Sequence, residues 1–316
     1  MRRSSDNAET DIGFTASGDL NTAALLAHVG SGSGFITTWY DQSGNNRHAT
    51  QTTAGIQPRI VNAGVLDIAN GKPAVRFNGS NTFFSGVSLP LSQITLSSVL
   101  NDVTQLPDIR YSIGTDTGSP QSGGRGIFSS FQFSANKSVG YIPDAGVPVV
   151  QTGFLPTIGQ SYVVSLTTTA TATSIWANGG NNGTGGRITL NQLFIGQRGD
   201  NLWYYDGYNS ETIVFPSVLS TTDRQTIERN QMQYYCITSS ISYQAKYGSN
   251  LSTICSQSAQ TVYISGVFAT GATVYSDAAL TIPLTGYIYI SETVSGTIWN
   301  INSSTGVIGT STGNTC

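Results

Sequence analysis

Charged side chains are scarce in this sequence. Only 10% of its 316 residues are charged and the formal net charge is −3, whereas about 25% is usual for a soluble domain. Lysine occurs only at positions 72, 137 and 246. A basic surface that could neutralise a phosphate backbone is therefore missing, and we expect no nucleic-acid partner.

Long apolar runs are missing as well. A membrane-spanning helix needs about 18 or more consecutive apolar residues, and no stretch of the chain comes near that, so we expect no membrane insertion. The opening residues MRRSSDNAETDIGF have arginines but no apolar segment behind them. They do not have the pattern of a signal peptide.

Cysteine and histidine are too few for a zinc site. The chain has three cysteines (Cys236, Cys255 and Cys316) in no C-x-x-C spacing, and two histidines (His28 and His48). Three disulfide pairings are open, and so is a set of three buried thiols. In an oxidising environment Cys255 with Cys316 is our first choice, because this pair brackets the C-terminal segment.

Glycine, tyrosine and uncharged polar residues take the place of charge, with 36 glycines and 15 tyrosines. Short β-branched or alternating segments read as strands. They are 34–40, 73–79, 126–134, 161–169, 171–179, 191–197 and 210–215, separated by turn-forming stretches at 78–81, 122–126 and 178–186. This spacing predicts an antiparallel two-sheet sandwich rather than alternating strands and helices.

Two segments have helical character. Residues 19–30 place Leu20, Ala24 and Ala27 on one face and end at Gly30, and residues 219–235 begin with Ser220 as N-cap and an acid three residues later. The character of the chain changes after Tyr235, where 236–255 has the composition of a connector and 260–310 of short strands. We therefore predict a main domain over 1–236 and a small β-module over 237–316.

Three stretches together resemble the concanavalin A-like jelly roll of laminin-G-type and legume-lectin-type domains. They are GKPAVRFNGSNTFF (71–84), SYVVSLTTTATATSIWANGGNNG (161–183), and residues 194–230, where a strand runs into a capped helix. The resemblance implies an all-β fold, an antiparallel two-sheet jelly-roll sandwich followed by a small β-module.

A narrower resemblance rests on RRSSDNAETDI (2–12), WYDQSGNNRHATQ (39–51) and GQRGDN (196–201). These stretches are similar to the N-terminal catalytic domain of fungal arabinofuranosidase B and to laminin-G-like domains of Bacteroidetes and their phages. The C-terminal module resembles a short repeat at the ends of surface and tail proteins of the same bacteria and phages.

An arabinofuranosidase resemblance implies an acid/base residue at Asp200 and a glutamate nucleophile on an earlier strand. The corresponding part of this chain, 126–141, holds no carboxylate. The adjacent-cysteine pair of that family's sugar pocket is also missing. Since double displacement needs two carboxylates, the sequence favours a protein that is not an enzyme. Asp116 or Asp144 could stand in for the missing nucleophile.

Sugar recognition uses aromatic rings against the apolar sugar faces and planar polar groups for the hydroxyls. One segment supplies both types densely. Its candidate ligand-binding residues are Arg198, Asp200, Asn201, Trp203, Tyr205, Asp206 and Tyr208. In a strand they would alternate between two faces, and in a loop more of them could meet one ligand.

No cofactor is expected, although concanavalin A-like folds often hold calcium with carboxylate and backbone oxygens. Asp41, Asp200 and Asp206 are the candidate ligands. In the stretch 37–51, Asp41 is equally suited to a turn around Gly44.

The sequence thus favours a non-catalytic surface or virion protein, such as a fibre, decoration or tail component, with a lectin-like domain. Its expected partner is a glycan or host-surface polysaccharide, its expected assembly a homo-oligomer or a complex with other virion or surface proteins, and its expected location the virion or the cell exterior. The alternatives are an arabinofuranosidase-like glycoside hydrolase and a purely structural virion component.

Overall fold

The structure is a computed structural model, and it describes residues 1–104, 110–115, 126–130, 138–143, 149–199, 203–237, 240–265, 272–276, 282–292 and 296–316. The chain divides into two compact units, Met1–Ala177 with Asn181–Leu219, and Asn178–Gly180 with Ser220–Cys316. The boundary therefore falls at the start of the second helix, whereas the sequence placed it after that helix.

The strands up to residue 104 are mostly short. They are β1 Arg2–Arg3, β2 Gly34–Phe35, β3 Thr38–Trp39, β4 Ala49–Thr50, β5 Arg59–Asn62, β6 Val65–Leu66, β7 Ile68–Ala69, β8 Lys72–Pro73, β9 Val75–Asn78, β10 Phe84–Leu91 and β11 Ile94–Asp102. Those that follow in the same part of the fold are β12 Arg110–Gly114, β13 Gly126–Ser130, β14 Gly140–Ile142, β15 Val150–Gln151, β16 Ser161–Thr168, β17 Ala172–Ala177, β18 Gly180–Gly186, β19 Leu190–Ile195 and β20 Asp206–Phe215.

Two antiparallel sheets form a sandwich, which confirms the predicted fold class. The larger sheet has the order β1-β2-β5-β9-β20-β11-β16-β17-β18, with β6 beside β5, and the smaller has the order β10-β19-β12-β13-β14-β15. One hydrophobic core joins them, because Phe77 of the larger sheet meets Phe84 of the smaller at 5.9 Å between ring centres.

The centre of the larger sheet is β11, which the sequence did not identify. Every residue from Ile94 to Asp102 is buried, and the strand pairs with β16 on one side and β20 on the other. Burial on both faces removes the alternation of apolar and polar residues from which strands are recognised. In the segment 178–186, expected as a turn, only residues 178–179 form one, and Gly180–Gly186 form the edge strand β18.

Both predicted helices are present. Helix α1 spans Thr22–Val29 and ends at Gly30, but it buries Leu25 and Val29 rather than the predicted face. Helix α2 spans Thr221–Tyr234 and belongs to the second unit. The Ser220 side chain caps it by accepting a hydrogen bond from the backbone N–H of Asp223, as expected.

The second unit has its own sheet, in the order β23-β22-β21-β24-β25-β26. Its strands are β21 Ser240–Gly248, β22 Gln260–Ser265, β23 Val274–Tyr275, β24 Tyr289–Glu292, β25 Thr297–Ile301 and β26 Ile308–Thr315. The prediction of a connector over 236–255 is wrong, since β21 lies in the middle of this sheet. The predicted disulfide is confirmed: Cys255 is bonded to Cys316, with the two α-carbons 5.2 Å apart. Cys236 is exposed and lies outside this disulfide.

Across the described residues, neither α1 nor α2 is long and apolar enough to cross a membrane.

Candidate functional site

The segment from Gly196 to Tyr205, here called the site loop, connects β19 to β20. Its two ends meet, because the N–H of Tyr205 donates to the carbonyl of Gly196 at 2.8 Å. Strand β12 holds both arms of the loop. The Gly196 N–H donates to the carbonyl of Ser112 at 2.9 Å, and the Tyr111 N–H donates to the carbonyl of Trp203 at 3.1 Å.

Two glycines make this arrangement sterically feasible. Gly196 has a φ of +93°, and a β-carbon there would lie 2.2 Å from the ring of Phe77. At Gly114 a β-carbon would lie 2.4 Å from the carbonyl oxygens of Gln197 and Arg198. The end of β12 therefore lies directly against the entering arm of the site loop, at a distance that only glycine permits.

An aromatic surface with a cation lies beside the loop. Tyr111 and Ile142 are buried and pack with the half-buried Val149 and Trp203, and we call these four residues the Tyr111 cluster. The guanidinium carbon of Arg198 lies 6.0 Å from the ring centre of Tyr111 and 5.9 Å from that of Trp203. Tyr111 and Ile142 are 0% and 7% exposed, so they pack against the half-buried Trp203 and do not themselves face a ligand. The Trp203 ring can contact the apolar face of a sugar while the guanidinium of Arg198 donates to its oxygens.

Arg198 and Trp203 are thus brought together as the sequence predicted. Asp200 and Asn201 lie outside the described residues. Tyr111 was not predicted, because the segment Arg110–Gly114 is only five residues long and mixes polar with apolar residues.

Tyr205 is not part of a ligand surface, which corrects the prediction for this residue. Its side chain is 1% exposed and belongs to the core. The hydroxyl donates to Oδ1 of buried Asp102 at 2.8 Å, and the hydroxyl of Tyr162 donates to the same oxygen at 3.2 Å. Burial, reinforced by the charge of Asp102, raises the pKa of Tyr205 well above its ordinary value.

Asp206 and Tyr208 lie on β20 of the larger sheet and contact Arg76 there, and their role in ligand binding stays a prediction. They are two residues apart on β20, so they share a face. The Arg76 guanidinium donates to Oδ1 of Asp206 at 2.6 Å and lies 5.4 Å from the ring centre of Tyr208. The Thr104 hydroxyl donates to Oδ2 of Asp206 at 2.6 Å. These contacts hold β9, β20 and the end of β11 together.

Asp41 organises the turn that follows β3. Its Oδ1 accepts the N–H of Ser43 at 2.9 Å and its Oδ2 accepts the N–H of Arg47 at 3.0 Å. Hydrogen bonding from the Ser43 side chain is the main cause of a lowered pKa for Asp41, and the two backbone N–H groups lower it further. The Asp41 N–H donates to Nδ1 of His48 at 3.1 Å. Within the described residues no group of three or more His, Cys, Asp or Glu side chains could hold a metal ion.

Comparisons with known proteins match in structure and not in sequence. No family model matches the chain, and no curated protein matches it. Three solved structures of arabinofuranosidases match 99% of this chain and 78% of theirs. A mutant of a glycoside hydrolase family 54 α-L-arabinofuranosidase soaked with 4-nitrophenyl α-L-arabinofuranoside is 16% identical with a TM-score of 0.55.

The second is a family 54 α-L-arabinofuranosidase soaked with a cyclic sulfate inhibitor, at 15% identity and a TM-score of 0.58. The third is an arabinofuranosidase complexed with arabinofuranosyl-α-1,2-xylobiose, at 16% identity and a TM-score of 0.55. At these identities the likeness establishes a shared fold, one whose matched proteins hold carbohydrate ligands.

These matches overturn the prediction of a non-catalytic virion or surface protein. All three structures come from glycoside hydrolases, and the described residues contain nothing that favours a fibre, decoration or adhesion role. The inference that the chain is not an enzyme is corrected on the same ground.

Proposed function

We propose that this chain is a glycoside hydrolase that acts on α-L-arabinofuranosides. The observation that carries the proposal is the fold likeness over 99% of the chain to three arabinofuranosidases, two of them holding arabinofuranosides. The half-buried Trp203, packed in the Tyr111 cluster, and Arg198 beside it support the proposal, because together they combine the apolar contact and the donors that a neutral sugar requires.

Three aspartates follow closely on residues of this site in the sequence. Asp200 is two residues beyond Arg198, Asp144 two beyond Ile142, and Asp116 two beyond Gly114. All three belong to segments outside the described residues, so their assignment rests on sequence position. We assign Asp200 as the general acid and one of Asp116 and Asp144 as the second carboxylate that glycoside hydrolysis needs.

Release of nitrophenol from 4-nitrophenyl α-L-arabinofuranoside tests the activity. Asn variants at positions 116, 144 and 200 identify the carboxylates, and Asp19→Asn, a half-exposed aspartate of the same unit, is the matched control. We expect one of Asp116→Asn and Asp144→Asn to lower kcat on this substrate at least a hundredfold, and Asp200→Asn to lower it by a smaller factor. The control variant should keep wild-type activity.

A second substrate separates the two roles. Nitrophenolate leaves without protonation, whereas a xylosyl alkoxide does not. Asp200→Asn should therefore lose far more activity on an arabinosyl xylobiose than on the nitrophenyl substrate. The variant of the second carboxylate should lose activity on the two substrates by a similar factor. A wild-type protein that releases nothing from either substrate, or an Asp200→Asn variant as active as wild type on both, refutes the proposal.

A further inference from the structure

Arg110, the first residue of β12, links two separate parts of the chain. Its Nη1 donates to the carbonyl of Gly79 at 2.9 Å and to the carbonyl of Tyr204 at 3.2 Å. One acceptor belongs to the turn after β9 and the other to the leaving arm of the site loop. The N–H of Gly79 in turn donates to the carbonyl of Tyr205 at 2.9 Å, so the two segments are joined at adjacent residues.

The turn that receives Arg110 is well braced. Oδ1 of Asn78 accepts the N–H groups of Ser80, Asn81 and Thr82 at 2.9, 3.0 and 3.2 Å. A turn closed by its own asparagine side chain resists displacement. Arg110 therefore ties the site loop to a fixed point of the larger sheet.

The residue before this link has an unfavourable backbone. Trp203 has a φ of +60°, a left-handed conformation that costs on the order of 1–3 kcal/mol for a residue with a β-carbon and persists only where the surroundings hold it. Its own carbonyl accepts from Tyr111 and the next carbonyl, of Tyr204, accepts from Arg110. Those two bonds fix the peptide groups on the C-terminal side of Trp203.

We propose that Arg110 is a positioning residue that holds Trp203 in this conformation and so keeps its ring beside Tyr111 and Arg198, where it binds the sugar. The inference rests on the proposed function and adds a residue that does not itself touch the substrate. Lysine should replace Arg110 only in part. Both bonds come from Nη1, whose hydrogens the planar guanidinium holds in fixed directions, whereas an ammonium on a flexible stem is not held toward the two carbonyls.

A double-mutant cycle on kcat/KM for 4-nitrophenyl α-L-arabinofuranoside tests the link. If Arg110 acts through Trp203, Arg110→Met should lower kcat/KM about tenfold, mainly by raising KM, and should have less than about a twofold effect in the Trp203→Ala background. Arg110→Lys should fall between wild type and Arg110→Met. The exposed Arg47 supplies the control, and Arg47→Met should leave kcat/KM unchanged in both backgrounds.

A ligand-free measurement keeps this inference separate from the proposed activity. Subtracting the near-UV circular dichroism spectrum of Trp203→Ala from that of wild type gives the band that Trp203 contributes. Arg110→Met should lose that band and Arg110→Lys should lose part of it. Urea unfolding of each variant should show a cooperative transition, so that the loss is not due to an unfolded protein. Equal effects of Arg110→Met in the two kinetic backgrounds, or a Trp203 band that survives Arg110→Met, would overturn the inference. A wild-type protein without activity but with the expected loss of the band would refute the proposed function alone.

Discussion

Removing the hydroxyl of Tyr205 tests whether buried polar contacts hold the sandwich together behind the site loop. In Tyr205→Phe the ring stays in the core, 6.1 Å from the ring centre of Phe77, so little packing is lost. What is lost is the 2.8 Å hydrogen bond to the carboxylate of Asp102. A hydrogen bond to a charged group contributes about 1.5–3 kcal/mol, and we expect the free energy of unfolding to fall by about 2 kcal/mol.

Tyr40 provides a matched control on the surface. Its hydroxyl donates to Oδ1 of Asp11 at 2.9 Å, the same chemical pair at nearly the same distance, but the side chain is 41% exposed. Because water replaces an exposed hydrogen bond, Tyr40→Phe should lower the free energy of unfolding far less than Tyr205→Phe does.

Urea unfolding of wild type and both variants, followed by tryptophan fluorescence, measures the two changes. The slope against urea should be the same for all three, so that the midpoints report stability alone. Equal losses in the two variants, or a Tyr205→Phe variant as stable as wild type, would refute the reasoning that burial makes the Asp102 contact strong.

Two further results are expected. Burial raises the pKa of Tyr141 to about 12, while a tyrosine in the unfolded chain titrates near about 10. The unfolded chain therefore loses this proton first, and the free energy of unfolding should fall as the pH rises between those two values. In Tyr141→Phe the urea midpoint should fall less over the same pH range. The Cys255–Cys316 disulfide spans 61 positions, so replacing both cysteines with serine should destabilise the second unit by about 4 kcal/mol and leave the Tyr205→Phe effect on the first unit unchanged, as separate calorimetric transitions would show.

The candidate site was predicted in part because one segment concentrates its residue types. Arg198 and Trp203 stand close together in the sequence and meet at one surface, as expected. Tyr205 was predicted from the same aromatic-rich segment, but its ring lies in the core, because the loop closes with the hydrogen bond between Gly196 and Tyr205. Which member of an aromatic-rich segment faces a ligand depends on where the loop closes, and composition does not encode that.

Long-range partners were beyond the sequence. Arg110 reaches the carbonyl of Tyr204 across 94 positions, and Arg76 reaches Asp206 across 130. The residues that flank each arginine in the sequence do not indicate which distant group accepts its hydrogen bond. Both links follow from strand order, which places β9 beside β20 and β12 beside β19.

By itself the sequence determined the all-β character, the cap of α2 at Ser220 and the turn around Asp41, and it ranked the pairing of Cys255 with Cys316 first among three. Caps and turns act over a few residues, where residue type alone decides the hydrogen bond, and the disulfide choice was open to only three cysteines. Tertiary structure decided the central position of β11, the core location of Tyr205 and the arginine links that shape the site loop. Each of these depends on which strands become neighbours, and that is settled only when the whole chain buries one common core.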